Sequence, residues 1–207
     1  MNDFAPRQLS SLQRTGEWRR ERLGRITASR LGDVLAGEST KRHQGYLLEV
    51  AYGIAGVGGF DFDPPWMAHG KAWEDMARGE YEWRTGRTVR QVGLIRHGDL
   101  PYVGASPDGL VEDGCLEIKC RISIDAHLKS IGEVPPEYRP QVQGEMWVLG
   151  CEWNDFVSYW RSDESSALTI VRAHRDEKTI AKFERLCPLF WERANELAER
   201  LKQKRRA

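Results

Sequence analysis

The stretch Val103–Cys120, VGASPDGLVEDGCLEIKC, decides how this chain is read. Asp108 follows a proline directly, eight residues intervene, and then come Glu117, Ile118 and Lys119. Inside the interval, Asp113-Gly114 is a two-residue reversal signal, which predicts a tight hairpin with strands over Gly109–Glu112 and Cys115–Cys120. Strand side chains alternate between faces, so Cys115, Glu117 and Lys119 share one face and Leu116, Ile118 and Cys120 the other. The apolar trio is predicted to pack inward, leaving a carboxylate and an ammonium side by side on the opposite face. With Asp108 at the hairpin mouth, two carboxylates and a lysine converge. Such a cluster is a metal site with a built-in cation, suited to phosphodiester hydrolysis.

The chemistry follows from the residue types. Asp108 and Glu117 are hard oxygen ligands that suit Mg²⁺, with Mn²⁺ as a substitute. An ion between them would polarise a phosphate, help generate hydroxide and stabilise a leaving oxygen. Lys119 beside it would orient or deprotonate the attacking water and offset transition-state charge.

At 207 residues with 40% hydrophobic and 30% charged side chains, the chain reads as one globular domain over 1–207. It has no apolar run long enough to span a bilayer, and its first twenty residues lack the apolar stretch of a signal peptide. A cytoplasmic protein away from membranes is the expectation. Cys115, Cys120, Cys151 and Cys187 form no CxxC pair and read as free thiols. The five histidines lack metal-ligand spacing, Gly104–Asp108 is not a GxSxG elbow, and no Walker-type loop argues for ATP. Net charge is zero, yet residues 1–30 carry seven arginines against three acidic side chains, and Lys202–Arg206 adds a second basic patch.

Helical spacing and caps predict helices over Glu17–Leu23, Thr27–Leu35, Lys41–Ala55, His69–Thr85, Ser123–Ile131 and Pro140–Leu149. The glycine-rich Gly53–Pro65 reads as a loop. Strands are predicted over Thr88–Arg96, Tyr102–Ala105, Asp155–Arg161 and Leu168–Ala173. A last helix spans Asp176–Lys204, with apolar steps of three and four that continue past Pro188. The fold class is α/β, a mixed sheet flanked by helices with a long closing helix.

Four ordered blocks carry a family resemblance: WRRERLGRITAS (Trp18–Ser29), HGKAWEDMAR (His69–Arg78), SPDGL with LEIKC, and PQVQGEMWVLG (Pro140–Gly150). Together they resemble the lambda exonuclease / YqaJ viral recombinase family, within the nucleases of PD-(D/E)XK type. The resemblance implies a restriction-endonuclease-like core. It implies a first metal held by Asp108, Glu117 and the Ile118 carbonyl, with Glu74 joining the site for one or two ions. It matches Gln143 to a helix glutamine that positions water or substrate, with Trp147 where many relatives carry a tyrosine four residues on. Arg22 and Ser29 match the pair that binds a terminal 5′-phosphate, in a pocket supplied by the helices of residues 10–60. Arg19 and Arg25 are further candidates for the DNA backbone.

The implied activity is a Mg²⁺-dependent 5′→3′ exonuclease on double-stranded DNA ends, leaving 3′ single strands for phage-type recombination. The implied assembly is a homotrimer encircling DNA, and the implied partner a single-strand annealing protein. A structure- or site-specific endonuclease of the same fold and a non-catalytic DNA-end-binding protein are the alternatives. The Asp108, Glu117 and Lys119 trio weighs against the last.

Overall fold

The computed structural model describes residues 7–8, 13–57, 65–162 and 165–206, the side chains of 7–8, 65–72 and 206 excepted. Its elements are, in order, β1 (Arg7–Gln8), α1 (Gly16–Arg22), β2 (Ile26–Thr27), a 3-10 turn (Ala28–Arg30), α2 (Leu31–Leu35), α3 (Lys41–Ala55) and α4 (Pro65–Thr85). There follow β3 (Ile95–Arg96), β4 (Val103–Ala105), β5 (Gly109–Val111), β6 (Gly114–Arg121), α5 (Ile124–Leu128), α6 (Arg139–Leu149), β7 (Trp153–Arg161), β8 (Ser166–His174) and α7 (Glu177–Arg206). Two four-stranded sheets result, ordered β1-β3-β4-β2 and β5-β6-β7-β8. In the second, β6 pairs antiparallel with β5 and parallel with β7, while β7 and β8 are antiparallel. The predicted mixed α/β architecture with a long closing helix is what forms.

The larger sheet is covered on both faces. Leu116 and Ile118 meet Ala77 and Tyr81 of α4, whereas Cys115 and Phe156 meet Val142 and Met146 of α6. The alternation along β6 is therefore as predicted, but the face carrying Glu117 is buried too, because α6 lies across it. The other side of α6 contributes Trp147 and Val148 to a second core with α2, α3 and α7. Its members from α7 are Ile180, Phe183, Cys187, Phe190 and Ala194, and that helix continues through Pro188 without a break.

Several boundaries differ from the sequence reading. Helix α4 begins at Pro65, a residue favoured at the first helical position because it lacks an amide hydrogen. Residues 58–64 of the predicted glycine-rich loop lie outside the described residues. Thr27 is not a side-chain cap; it belongs to β2, paired parallel with Gly104. The predicted strand Thr88–Arg96 is reduced to an isolated bridge at Arg90 and the short β3.

The hairpin turn is displaced by one residue. Val111 pairs with Gly114, so Glu112-Asp113 forms the loop, with Glu112 at φ +51. Gly114 sits in the strand, where a Cβ would lie 2.3 Å from the Trp153 indole. Its glycine serves packing, not a reversed backbone. A comparable close approach holds α3 against the turn after α1. A Cβ on Gly53 would lie 2.2 Å from the Gly24 nitrogen, and Gly24 itself takes φ +67.

Candidate functional site

Strand β5 is only three residues long, so beyond Leu116 the β5-side edge of β6 loses its ladder partner. Asp108, just before β5, fills that gap: its Oδ2 accepts the Ile118 amide at 2.8 Å. The aspartate is thereby fixed beside Glu117, which is 3% exposed. Glu117 Oε1 receives Lys119 Nζ at 2.5 Å and Gln141 Nε2 at 2.6 Å. The strand and helix α6 thus bring a carboxylate, an ammonium and an amide together.

From the α4 side comes Glu74. One of its oxygens pairs with Arg78 at 3.0 Å and the other with Arg14. The segment carrying Arg14 is tied to the hairpin mouth. Gln13 Nε2 donates to the Pro107 carbonyl at 2.6 Å, and Trp18 Nε1 donates to Ser106 Oγ at 2.9 Å.

Electrostatics follow from burial. Asp108 is held well above the usual carboxylate range by desolvation and by the nearby charges of Glu117 and Glu74. Burial would pull the Lys119 pKa down, but the Glu117 and Asp108 carboxylates outweigh it and hold the ammonium above its ordinary value. Among the described residues, no three acidic, histidine or cysteine side chains already surround one point. The reason is visible in the pairings: Lys119 occupies Glu117, Arg14 and Arg78 occupy Glu74, and Asp108 holds an amide. The donor set nevertheless fits a hard divalent cation, because the desolvation and neighbouring negative charge that hold Asp108 up are what such an ion relieves. Asp108, Glu117 and the Ile118 carbonyl would hold it.

Gln143 is not in this cluster. From α6 its side chain reaches the start of α7, where its Oε1 accepts the Asp176 amide at 2.8 Å and its Nε2 donates to the His174 carbonyl at 2.8 Å. Gln141 takes the expected place. Residues two apart on a helix differ by about 200° in direction, so only one glutamine of the Gln-Val-Gln run can face β6. The residue four after Gln141 is Glu145, not Trp147. Trp147 packs against Phe183 and His97 in the core.

Glu145 gave no signal in the sequence beyond its spacing from Gln141. It is 1% exposed, accepts Gln141 Nε2 at 3.0 Å and Asn154 Nδ2 at 2.9 Å, and is pushed well up by burial and by Glu117. Tyr138 was also missed. Its ring lies 5.2 Å from Lys119 Nζ, and its hydroxyl accepts from Arg121 at 2.9 Å.

Arg22 and Ser29 do meet, with Arg22 Nη2 donating to Ser29 Oγ at 3.3 Å. The guanidinium stacks 4.4 Å over Trp18. Desolvation lowers its pKa, and the charges it feels include Arg30 and Glu117, which places this pair within electrostatic reach of the carboxylates. A half-buried guanidinium next to a hydroxyl is a fitting anion receptor. Arg19 is exposed on α1. Arg25 instead clamps the fold, donating to the Glu21 carbonyl at 2.7 Å and the Pro101 carbonyl at 2.6 Å. These bonds tie the turn after α1 to the loop before β4.

Comparison with known proteins gives the family and the fold. Residues 17–152 match the YqaJ-like viral recombinase domain. The fold is similar to crystal structures of LHK-Exo, an alkaline exonuclease from Laribacter hongkongensis. One shares 37% identity with TM-score 0.80, and another, in complex with dAMP, 36% with TM-score 0.82. Each alignment covers 92% of this chain and 97% of the other. A phage related exonuclease from Haemophilus somnus 129PT has the same fold at 15% identity, TM-score 0.66, over 87% of this chain and 96% of its own. Among functionally curated sequences no relative matches. Among the described residues, no helix is long and apolar enough to cross a membrane.

Proposed function

Because this chain belongs to the YqaJ-like viral recombinase family, we propose that it is a divalent-metal-dependent exonuclease that digests double-stranded DNA from a 5′ end. The observation that carries the reading is the convergence of Asp108, Glu117, Lys119 and Gln141, with the Arg22–Ser29 pair feeling the Glu117 charge. A Mg²⁺ ion bound by Asp108, Glu117 and the Ile118 carbonyl, with Mn²⁺ able to replace it, would supply Lewis-acid polarisation of the scissile phosphate. Glu74, whose charge bears on Asp108, would join the same ion or a second one after releasing Arg14.

The chain's own groups do the rest. Lys119, held as an ammonium by its carboxylate neighbours, orients the attacking water and offsets charge on the pentavalent phosphorus. Gln141 fixes the Glu117 carboxylate by donating to it. Arg22 and Ser29 receive the terminal 5′-phosphate, the guanidinium through paired donors and the hydroxyl through one. Arg19, exposed on the same helix, contacts the DNA backbone. The proposed assembly is a homotrimer around the duplex, acting in the cytoplasm with a single-strand annealing protein that takes up the 3′ strand. One domain would carry all of it.

Digestion of end-labelled linear duplex with and without Mg²⁺ tests the reading. Release of label from 5′-labelled ends only with the metal is the expected result. Nicking of closed circles at a comparable rate would favour the endonuclease alternative. Arg22→Ala is expected to lower the preference for 5′-phosphorylated over 5′-hydroxyl ends, and an equal loss on both substrates would remove the phosphate role.

A further inference from the structure

Two cysteines that lie 36 positions apart in sequence meet beside the site. Cys115 Sγ and Cys151 Sγ are 3.5 Å apart, in a thiol–thiol hydrogen bond. Cys115 is buried in β6, two residues before Glu117 and on the same face, while Cys151 is half-buried in the turn between α6 and β7. Asn154 couples the pair to the carboxylates. Its Nδ2 donates both to Cys115 Sγ at 3.0 Å and to Glu145 Oε2 at 2.9 Å, and Glu145 shares Gln141 with Glu117.

We propose that Cys115 and Cys151 form an oxidisable dithiol whose disulfide slows the neighbouring site. The roles divide by access. Cys151 reaches solvent, and its thiol is lowered in pKa by the hydrogen bond with Cys115 and by Arg175, against the opposing effect of burial. Its thiolate attacks a hydroperoxide, breaking the O–O bond. Cys151 becomes a sulfenic acid and the departing oxygen leaves as water or an alcohol once protonated. The Cys115 sulfur then attacks the sulfenic sulfur. The S–S bond forms, the S–O bond breaks, and the Cys115 proton leaves with the hydroxide as a second water. Two thiols lose two electrons and two protons in all, and the peroxide accepts them.

Bond formation shortens the sulfur separation from 3.5 Å to about 2.05 Å. Rotation of both side chains, with any needed approach of strand β6 and the α6–β7 turn, closes that gap. Asn154 is left with a poorer acceptor, and its hold on Glu145 is disturbed. Among intracellular proteins, disulfides of this reversible kind are commonly regulatory.

The test treats the native protein with hydrogen peroxide and maps thiols by peptide mass spectrometry without reduction. The expected products are a Cys115–Cys151 linked peptide and two remaining free thiols, with the link removed by dithiothreitol. The activity arm rests on the nuclease reading, whereas the linked peptide does not. Digestion of linear duplex should fall several-fold in the oxidised protein and return on reduction. Cys151→Ser should give neither the link nor the reversible loss, with its circular dichroism checked against the native protein. A Cys151 that stops at sulfenic or sulfinic acid, or that links to another cysteine, overturns the proposal. So does a full Cys115–Cys151 link with unchanged digestion, or loss of activity that follows Cys120 oxidation instead.

Discussion

Lys119 and Glu117 sit one residue apart on either side of Ile118, and alternation along β6 turns both toward α6. An ammonium there neutralises a buried carboxylate, and under the proposed mechanism it would be freed for other work if a divalent ion took its place. Lys119→Ala is expected to retain duplex binding and to lose cleavage by about 100-fold or more, since removing a group that stabilises transition-state charge typically costs that much. A gel-shift alongside a single-turnover assay separates the two effects, and near-normal cleavage would take the lysine out of the chemistry. The two glutamines of the Gln-Val-Gln run offer a sharper contrast. Gln141→Ala should slow cleavage while leaving stability little changed. Gln143→Ala should leave cleavage intact and cost about 1 kcal/mol of stability, because it strips a side-chain acceptor from the Asp176 amide at the start of α7. Kinetics and thermal denaturation on both variants decide it. No property of the sequence separated these residues, for each is a glutamine in a helical run and only the direction of the helix distinguishes them. Glu145 and the Cys115–Cys151 contact were hidden for a related reason. Burial and long-range contact are created by the packing of α6 onto β6, not by local pattern.

At the scale of elements, periodicity served well where a single face is buried. Helix α3 and helix α7 run close to their predicted limits, since their apolar positions fall on one stripe and their caps are explicit. It served less well where short segments are held by distant partners. The Thr88–Arg96 segment looked like a strand because Val89, Val92 and Leu94 are apolar, yet only one bridge and a two-residue strand form. The hairpin register was misjudged by one residue because Gly114 is glycine on account of Trp153. The loop from β3 to β4 shows how such short strands are fixed. His97 Nδ1 accepts the amides of Asp99 and Leu100, each at 3.2 Å, so the ring must be neutral at that nitrogen. Burial lowers its pKa from the ordinary 6.5, with Arg175 adding to the effect against Asp99. The unfolded chain therefore takes up a proton that the native state refuses. Stability is expected to be full above pH 6.5 and to fall as pH drops through that value toward the lower native pKa. His97→Asn supplies a similar acceptor without titrating, so thermal melts between pH 7.5 and 5.5 should show a smaller decline in that variant. An equal decline would assign the acid sensitivity elsewhere, with His127, lowered by burial and by Arg121, as the next residue to test.

Across the whole molecule, the carboxylates and the Arg22–Ser29 pair come from distant parts of the chain, and one side chain joins them. Trp18 carries Arg22 on its ring face and holds Ser106, two residues before Asp108, through its indole nitrogen. On the proposed function, the indole would be a ruler laid between the group that grips the end of a strand and the group that cuts it. If the strand is cut as proposed, the length of the released fragment is then a property of one aromatic ring and not of the DNA sequence. Trp18→Phe keeps an aromatic face for Arg22 but deletes the hydrogen bond to Ser106, so the ruler loses one fixed mark. Native enzyme should release a product of a single length, and the variant a spread of neighbouring lengths at a reduced rate. High-resolution gel electrophoresis of labelled products reads this directly, and an unchanged single product would show that the spacing is set by other contacts. If the proposed function holds, a fold that measures as well as cuts would need no recognition of bases, as an enzyme consuming any duplex from its end would require.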